Sequence, residues 1–315
     1  MADDMSGQLD ALRRAETALW TSLGLSPTEH WLHLPTLDVD VRIQEIGSGP
    51  TVLFIHGGSS WGTSWADLAA AMSTFRCLLL DRPGTGLSDP LPAAPRTMLD
   101  LQGVADSLVT DVLDALAMPS IDVIATSVGG WFALRSAMSS PASVRRMVII
   151  GWTAGAPVGR LPVALRMGTL PVVGDLAGRL PAGRGAVRSI FRSIGEGPTL
   201  DAGRISPEAI DAYAMLLRHT DTFRHERPIG RLLLATPRGS AESPLLTPEQ
   251  RRRIDTPTLF LWGDADPFGG PDIAAAFVDE FGDARLEVLP GKGHAPWVGD
   301  PTGVAHRVAA FLSTG

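Results

Sequence analysis

Cysteine is almost absent from this chain. Of 315 residues only Cys77 carries a thiol, so no disulfide can close within the chain and its stability must come from packing. Cys77 lies in the apolar run Cys77-Leu78-Leu79-Leu80 and reads as a buried core thiol. Long apolar runs are missing as well: no stretch approaches the length that a membrane-spanning helix needs, so no membrane span is expected. Basic clusters are scarce. The net charge is −7 and Arg251-Arg252-Arg253 is the only basic run, so nothing argues electrostatically for a nucleic-acid partner. That run precedes a strand-like segment and is expected at a solvated helix end. The 7 histidines are dispersed, and none pairs with a cysteine or carboxylate at ligand spacing, so neither a metal nor a cofactor is expected. The opening Met-Ala-Asp-Asp-Met is acidic and lacks the basic and apolar regions of a secretion signal, which leads to the expectation of a cytoplasmic protein.

Hydrophobic residues are abundant, at 44%, enough for a large core. Leu9, Leu12, Leu19 and Leu23 recur at helical spacing and predict a helix over Gln8–Leu23. Strands are predicted over His30–Leu34, Val39–Ile46, Thr51–Ile55, Cys77–Leu80, Ile121–Ala125, Met147–Ile150, Thr258–Trp262 and Leu286–Leu289. Helical patterns separate most of them, notably Met98–Met118 and Val128–Met138. Strand–helix alternation of this kind predicts an α/β protein with a mostly parallel, twisted sheet covered by helices on both faces. The alternation stops between Trp152 and about Arg252. Helical runs near Val163–Leu170, Ala186–Ile194, Pro207–Arg218 and Ile229–Ala235 are broken there by glycine and proline. A hundred residues without structure do not suit a compact domain, so a helical cap over 152–252 is expected, inserted into a core formed by 1–151 and 253–315.

The most informative junction is Ile121-Asp122-Val123-Ile124 followed by Ala125-Thr126-Ser127-Val128-Gly129-Gly130. A serine with tiny residues two positions before and after it fits a sharp strand-to-helix turn, where bulky neighbours would clash and the hydroxyl stands exposed. The alternative reading is that Ser127 merely caps the following helix. A serine hydroxyl is a weak nucleophile at neutral pH and needs a base, which in turn needs an orienting acid. His294 stands in a glycine-rich loop, Pro290-Gly291-Lys292-Gly293-His294-Ala295-Pro296-Trp297, after an apolar strand. Asp264 and Asp266 end another apolar strand in Trp262-Gly263-Asp264-Ala265-Asp266-Pro267. The chain order is serine, aspartate, histidine.

With these pieces in place the chain resembles a serine-type α/β-hydrolase of the esterase and lipase kind, with a cap. The likeness runs from His56-Gly57-Gly58-Ser59 through Asp81-Arg82-Pro83-Gly84-Thr85-Gly86-Leu87-Ser88, the Ser127 turn and the Trp-Gly-Asp-Ala-Asp turn to the His294 loop. It implies the α/β-hydrolase fold, with Ser127 as nucleophile, His294 as general base and Asp266 as the acid. The family pattern puts the acid three residues after the turn glycine, which selects Asp266 and leaves Asp264 to bond nearby backbone N–H groups. An oxyanion hole would use the backbone N–H groups of Val128 and Gly58, with Ser59 as the fallback donor. His56 would brace its loop, and Asp81-Arg82-Pro83-Gly84 would be a structural turn. Trp61, Trp65, Trp131, Trp152 and Trp297 lie in or beside motif loops. Ser59, Trp61, Trp131, Trp152 and Trp297 are therefore expected at the substrate site, and a modest-sized apolar or aromatic small molecule is the expected substrate.

The expected reaction is hydrolysis of a carboxylic ester, lactone or thioester through an acyl-serine. The same triad also serves carbon–carbon or amide hydrolysis, acyl transfer and cofactor-free oxygenase or lyase chemistry, and the fold does not choose among them. Relatives that cleave carbon–halogen bonds or epoxides carry an aspartate where Ser127 stands. A hydrolase-like receptor is the reading from another class.

Overall fold

The computed structural model describes residues 2–159, 183–235 and 243–313. Among them eight strands make one sheet: β1 (Thr28–Leu34), β2 (Val39–Ile46), β3 (Thr51–Ile55), β4 (Arg76–Leu80), β5 (Ile121–Thr126), β6 (Val144–Thr153), β7 (Thr258–Gly263) and β8 (Ala284–Leu289). Their order across the sheet is β1-β2-β4-β3-β5-β6-β7-β8. β2 runs antiparallel to both β1 and β4, and every pairing from β4 to β8 is parallel. The described helices are α1 (Ala2–Ser22), α2 (Ala66–Ala71), α3 (Met98–Leu116), α4 (Ser127–Ser139), α5 (Arg184–Ser193), α6 (Gly197–Asp201), α7 (Pro207–His219), α8 (Thr222–Ala235), α9 (Pro248–Arg252), α10 (Pro271–Val278) and α11 (Pro301–Leu312).

The α/β architecture expected from the strand–helix alternation is the one observed. β3 is buried after its first residue and β5 throughout, as strands covered on both faces must be. Side chains alternate between two apolar layers. Leu53, Ile55, Leu78 and Leu80 join α3, α4 and α10 on one face; Val52, Phe54, Cys77 and Leu79 join α1, α2, α7 and α11 on the other. The Cys77 thiol is fully buried, which pushes its pKa up to about 12 and keeps it inert. No helix among the described residues is long and apolar enough to cross a membrane.

Two local expectations needed adjustment. β6 continues past Ile150 to Thr153, because Gly151 takes a positive φ of 76° and lets the strand bend without ending. Arg251 is not at a solvated helix end: it is buried, its guanidinium lies 5.1 Å from the Phe277 ring centroid, and its Nη1 donates to the Leu246 carbonyl. Its neighbour Arg252 is exposed and pairs with Glu280. The helical run expected near Val163–Leu170 lies outside the described residues.

The Asp81 turn is structural. Asp81 Oδ1 accepts from Gly62 N–H at 2.7 Å, and its Oδ2 accepts from Leu87 N–H at 3.0 Å and Arg42 Nε at 2.9 Å. Arg42 in turn donates to both Glu16 oxygens, at 2.8 and 2.7 Å, so α1 is tied through one buried ionic network to the loops at the sheet's C-terminal edge. Because β3 and β5 through β8 are parallel, His56, Ser127, Trp152, Asp266 and His294 all lie at that edge, at or just beyond the strand ends.

Candidate active site

Ser127 opens α4 immediately after β5 and has φ 54°, a left-handed conformation that a side chain disfavours. The neighbours explain how the turn is accommodated. A Cβ at Gly129 would lie 2.3 Å from the Ile55 carbonyl oxygen and 2.4 Å from that of His56, so no larger residue fits two positions after the serine. Ala125, two positions before, is fully buried against the sheet. Thr126, the N-cap, makes no side-chain cap bond; its hydroxyl donates instead to the Ile150 carbonyl at 2.5 Å. Val128 N–H belongs to the first turn of α4, where backbone donors have no partner within the helix.

The end of β6 brings the distant residues together. Three consecutive positions hold one candidate each. Thr153 Oγ1 donates to the Ser127 carbonyl at 3.0 Å, and Ala154 N–H donates to it at 3.1 Å. Trp152 N–H donates to Asp266 Oδ2 at 2.8 Å. Gly151 packs under His294 so closely that a Cβ would lie 2.2 Å from the histidine's carbonyl oxygen. Asp266 and His294 meet directly, with Nδ1 to Oδ2 at 2.8 Å, both largely buried. A carboxylate on Nδ1 makes that nitrogen the protonated one and leaves Nε2 with its lone pair. Asp266 Oδ1 accepts from Phe268 N–H at 3.0 Å, so both carboxylate oxygens are fixed. Among the described residues no hydrogen bond joins Ser127 Oγ to the His294 ring, and such contacts commonly tighten only with substrate bound. Asp264 does something else: its Oδ1 accepts from Gly291 N–H at 2.7 Å on the exposed side of the turn.

His56 braces the loop after β3. Its Nδ1 donates to the Gly57 carbonyl at 2.7 Å, and its Nε2 accepts from Arg82 N–H at 3.1 Å. Burial pushes the imidazole pKa well below its usual 6.5, and the Arg82 charge adds to this. The unfolded ring therefore binds more protons below pH 6.5, so its contribution to stability is complete above that pH and is lost as pH falls toward the folded value. Thermal melts between about pH 7 and pH 5 are expected to show a falling midpoint, with a shallower slope in His56→Gln.

Gly58 is exposed on this loop, 3.3 Å from Val128 Cγ2 when a Cβ is built on it. Ser59 has a positive φ of 51°, and its N–H is taken by Glu226 Oε2 at 3.2 Å, so it is not free as a fallback donor. Trp152 lies beside His294, its ring centroid 6.4 Å from the imidazole, and stacks on Phe268, which is 4.6 Å from the same ring. Trp61, Trp131 and Trp297 are buried and bonded elsewhere. Their indole N–H groups donate to Glu16 Oε1 at 2.6 Å, the Pro244 carbonyl at 3.1 Å and the Ser64 carbonyl at 3.2 Å.

Two buried carboxylates near the site carried no motif. Glu196 accepts from Ala295 N–H at 3.0 Å and from Thr199 Oγ1 at 2.7 Å, and burial raises its pKa. Glu226 reaches the His56-Gly57-Gly58 loop from α8. Neither was legible, because Glu196 precedes α6 and Glu226 lies in α8, and the sequence does not reveal how these segments pack against the core.

The fold is that of an α/β-hydrolase. A profile of the alpha/beta hydrolase family matches residues 52–307, and the chain belongs to that family. It is 26% identical over 276 residues to a pimeloyl-[acyl-carrier protein] methyl ester esterase of Nitrosospira multiformis, covering 87% of this chain and 98% of the relative. It is 24% identical over 302 residues to a 2-hydroxy-6-oxononadienedioate/2-hydroxy-6-oxononatrienedioate hydrolase of Cupriavidus pinatubonensis, covering 93% of this chain and 94% of that one. The fold matches naproxen esterase from Bacillus subtilis with a TM-score of 0.75 at 18% identity, over 98% of this chain and 99% of the other.

Proposed function

We propose that this hydrolase cleaves a carboxylic ester, lactone or thioester of a modest-sized apolar substrate through an acyl-serine intermediate. The observation that carries the reading is the β6 end, where Gly151, Trp152 and Thr153 contact His294, Asp266 and Ser127 in turn. In this reading His294 Nε2 takes the Ser127 proton as Oγ attacks the carbonyl carbon, and Asp266 stabilises the imidazolium. The oxyanion is met by the Gly58 and Val128 N–H groups. Collapse of the tetrahedral adduct breaks the bond to the leaving group, which takes the proton from His294. Water then repeats the sequence on the acyl-serine and releases the acid. Trp152 and Phe268 form an apolar wall beside the base, and the helices between β6 and β7, within 152–252, act as the cap. Trp61, Trp131 and Trp297 support the loops behind the substrate.

A second reading, hydrolysis of a carbon–carbon bond by the same three residues, is favoured by the likeness to the Cupriavidus enzyme. A panel of p-nitrophenyl esters, lactones, thioesters, amides and vinylogous diketones separates the two. Ester turnover that disappears in Ser127→Ala supports the first; activity confined to the diketones rejects it for the second.

A further inference from the structure

The loop expected to supply the oxyanion donor has glycine at 57 and 58, so neither of these residues has a side chain to hold its own peptide. Other residues do. The Gly57 carbonyl accepts from His56 Nδ1 at 2.7 Å and from Arg82 Nη2 at 3.0 Å. A peptide unit is planar and trans, so its C=O and N–H point opposite ways. Fixing the Gly57 carbonyl toward His56 and Arg82 therefore turns the Gly58 N–H away from them. Arg82 Nη2 is itself held at 2.7 Å by Glu226 Oε2, and the same oxygen accepts the Ser59 N–H, fixing the next peptide. On the other side of Ser59 its carbonyl accepts from the Tyr213 hydroxyl, on α7, at 2.9 Å. Glu226 is only 5% exposed, and the left-handed Ser59 is thus gripped at both its N–H and its C=O by helices that lie between β6 and β7.

We propose that Glu226, with Tyr213 as its counterpart, is a positioning residue for the oxyanion donor. Through Arg82 and the Ser59 N–H it sets the two peptide planes that flank Gly58, and so aims the Gly58 N–H at the developing negative oxygen. Docking of the cap and competence of the oxyanion loop are then one event. The inference rests on the acyl-serine reading above.

Glu226 Oε1 is buried and accepts no hydrogen bond among the described residues, so Glu226→Gln can turn its amide nitrogen to that side and keep its oxygen at Ser59. Its fold is expected to survive while the hold on Arg82 weakens. The test uses p-nitrophenyl butyrate turnover and the affinity of an aryl boronic acid, which forms a tetrahedral adduct on the serine. Wild-type turnover that vanishes in Ser127→Ala establishes the underlying reading first. Against it, kcat is expected to fall about 10-fold in Glu226→Gln and about 100-fold in Glu226→Ala, with KM within about threefold. Boronate affinity should fall in step with kcat/KM. Wild-type kcat and boronate affinity in both variants overturn the proposal, as does a rise in KM alone, which would make Glu226 a wall of the substrate site. Should neither variant fold, Tyr213→Phe decides: a parallel loss of kcat and boronate affinity supports the positioning role, and wild-type values for both overturn it.

Discussion

Ser127→Ala is expected to lower turnover of a short p-nitrophenyl ester by about 10⁴- to 10⁶-fold while leaving the protein folded. In the proposed mechanism no later step can proceed without the acyl-serine, which makes the expected loss large. It is specific because the serine hydroxyl makes no hydrogen bond among the described residues, whereas its main chain is held at the carbonyl by Ala154 N–H and Thr153 Oγ1. Alanine keeps those bonds and differs little from serine in its tolerance of φ 54°, so a thermal melt should be near wild type. What remains of the rate comes from substrate binding and the oxyanion donors. Steady-state kinetics and a melt on the same preparation check both halves. Undiminished turnover in the variant would remove Ser127 from the chemistry and with it the proposed mechanism.

Asp266→Asn is expected to cost about 10³- to 10⁴-fold in kcat, and the hydrogen bonds explain why an isosteric change is so damaging. Both carboxylate oxygens accept: Oδ1 from Phe268 N–H, and Oδ2 from Trp152 N–H and His294 Nδ1. An asparagine must turn its NH₂ toward one of these donors. On the Oδ1 side it opposes Phe268 N–H and loosens the turn. On the Oδ2 side it opposes Trp152 N–H and forces His294 into the tautomer protonated on Nε2, which cannot accept the serine proton. Asp264→Asn is the control. Its only described side-chain bond is to Gly291 N–H on the exposed side, and asparagine can still accept there. Equal losses at the two positions would show that the turn, and not the His294 contact, is what activity needs.

The strands were readable because each buried strand is an apolar run bounded by turn residues; Val39–Ile46 and Thr51–Ile55 were delimited as they stand in the structure. β6 was read short at both ends; at its C-terminal end Gly151 uses its positive φ to carry the strand past His294. Arg251 was misjudged for a related reason: a charge run is usually solvated, and only the packing of α9 against Phe277 shows that this member is not. The tryptophans were legible as motif neighbours, but the direction each ring takes depends on distant partners such as Glu16 and Pro244.

By itself the sequence marked out the candidate serine, aspartate and histidine and their order, since an elbow serine, a turn aspartate and a loop histidine each require local residues that are visible in a linear string. It determined the α/β alternation for the same reason, local periodicity. Only the tertiary structure decided which backbone groups hold those residues together. The bonds from β6 to Ser127 and Asp266, and from Glu226 and Tyr213 to Ser59, join positions separated by 26 to 167 residues, and no local pattern encodes a contact over that distance.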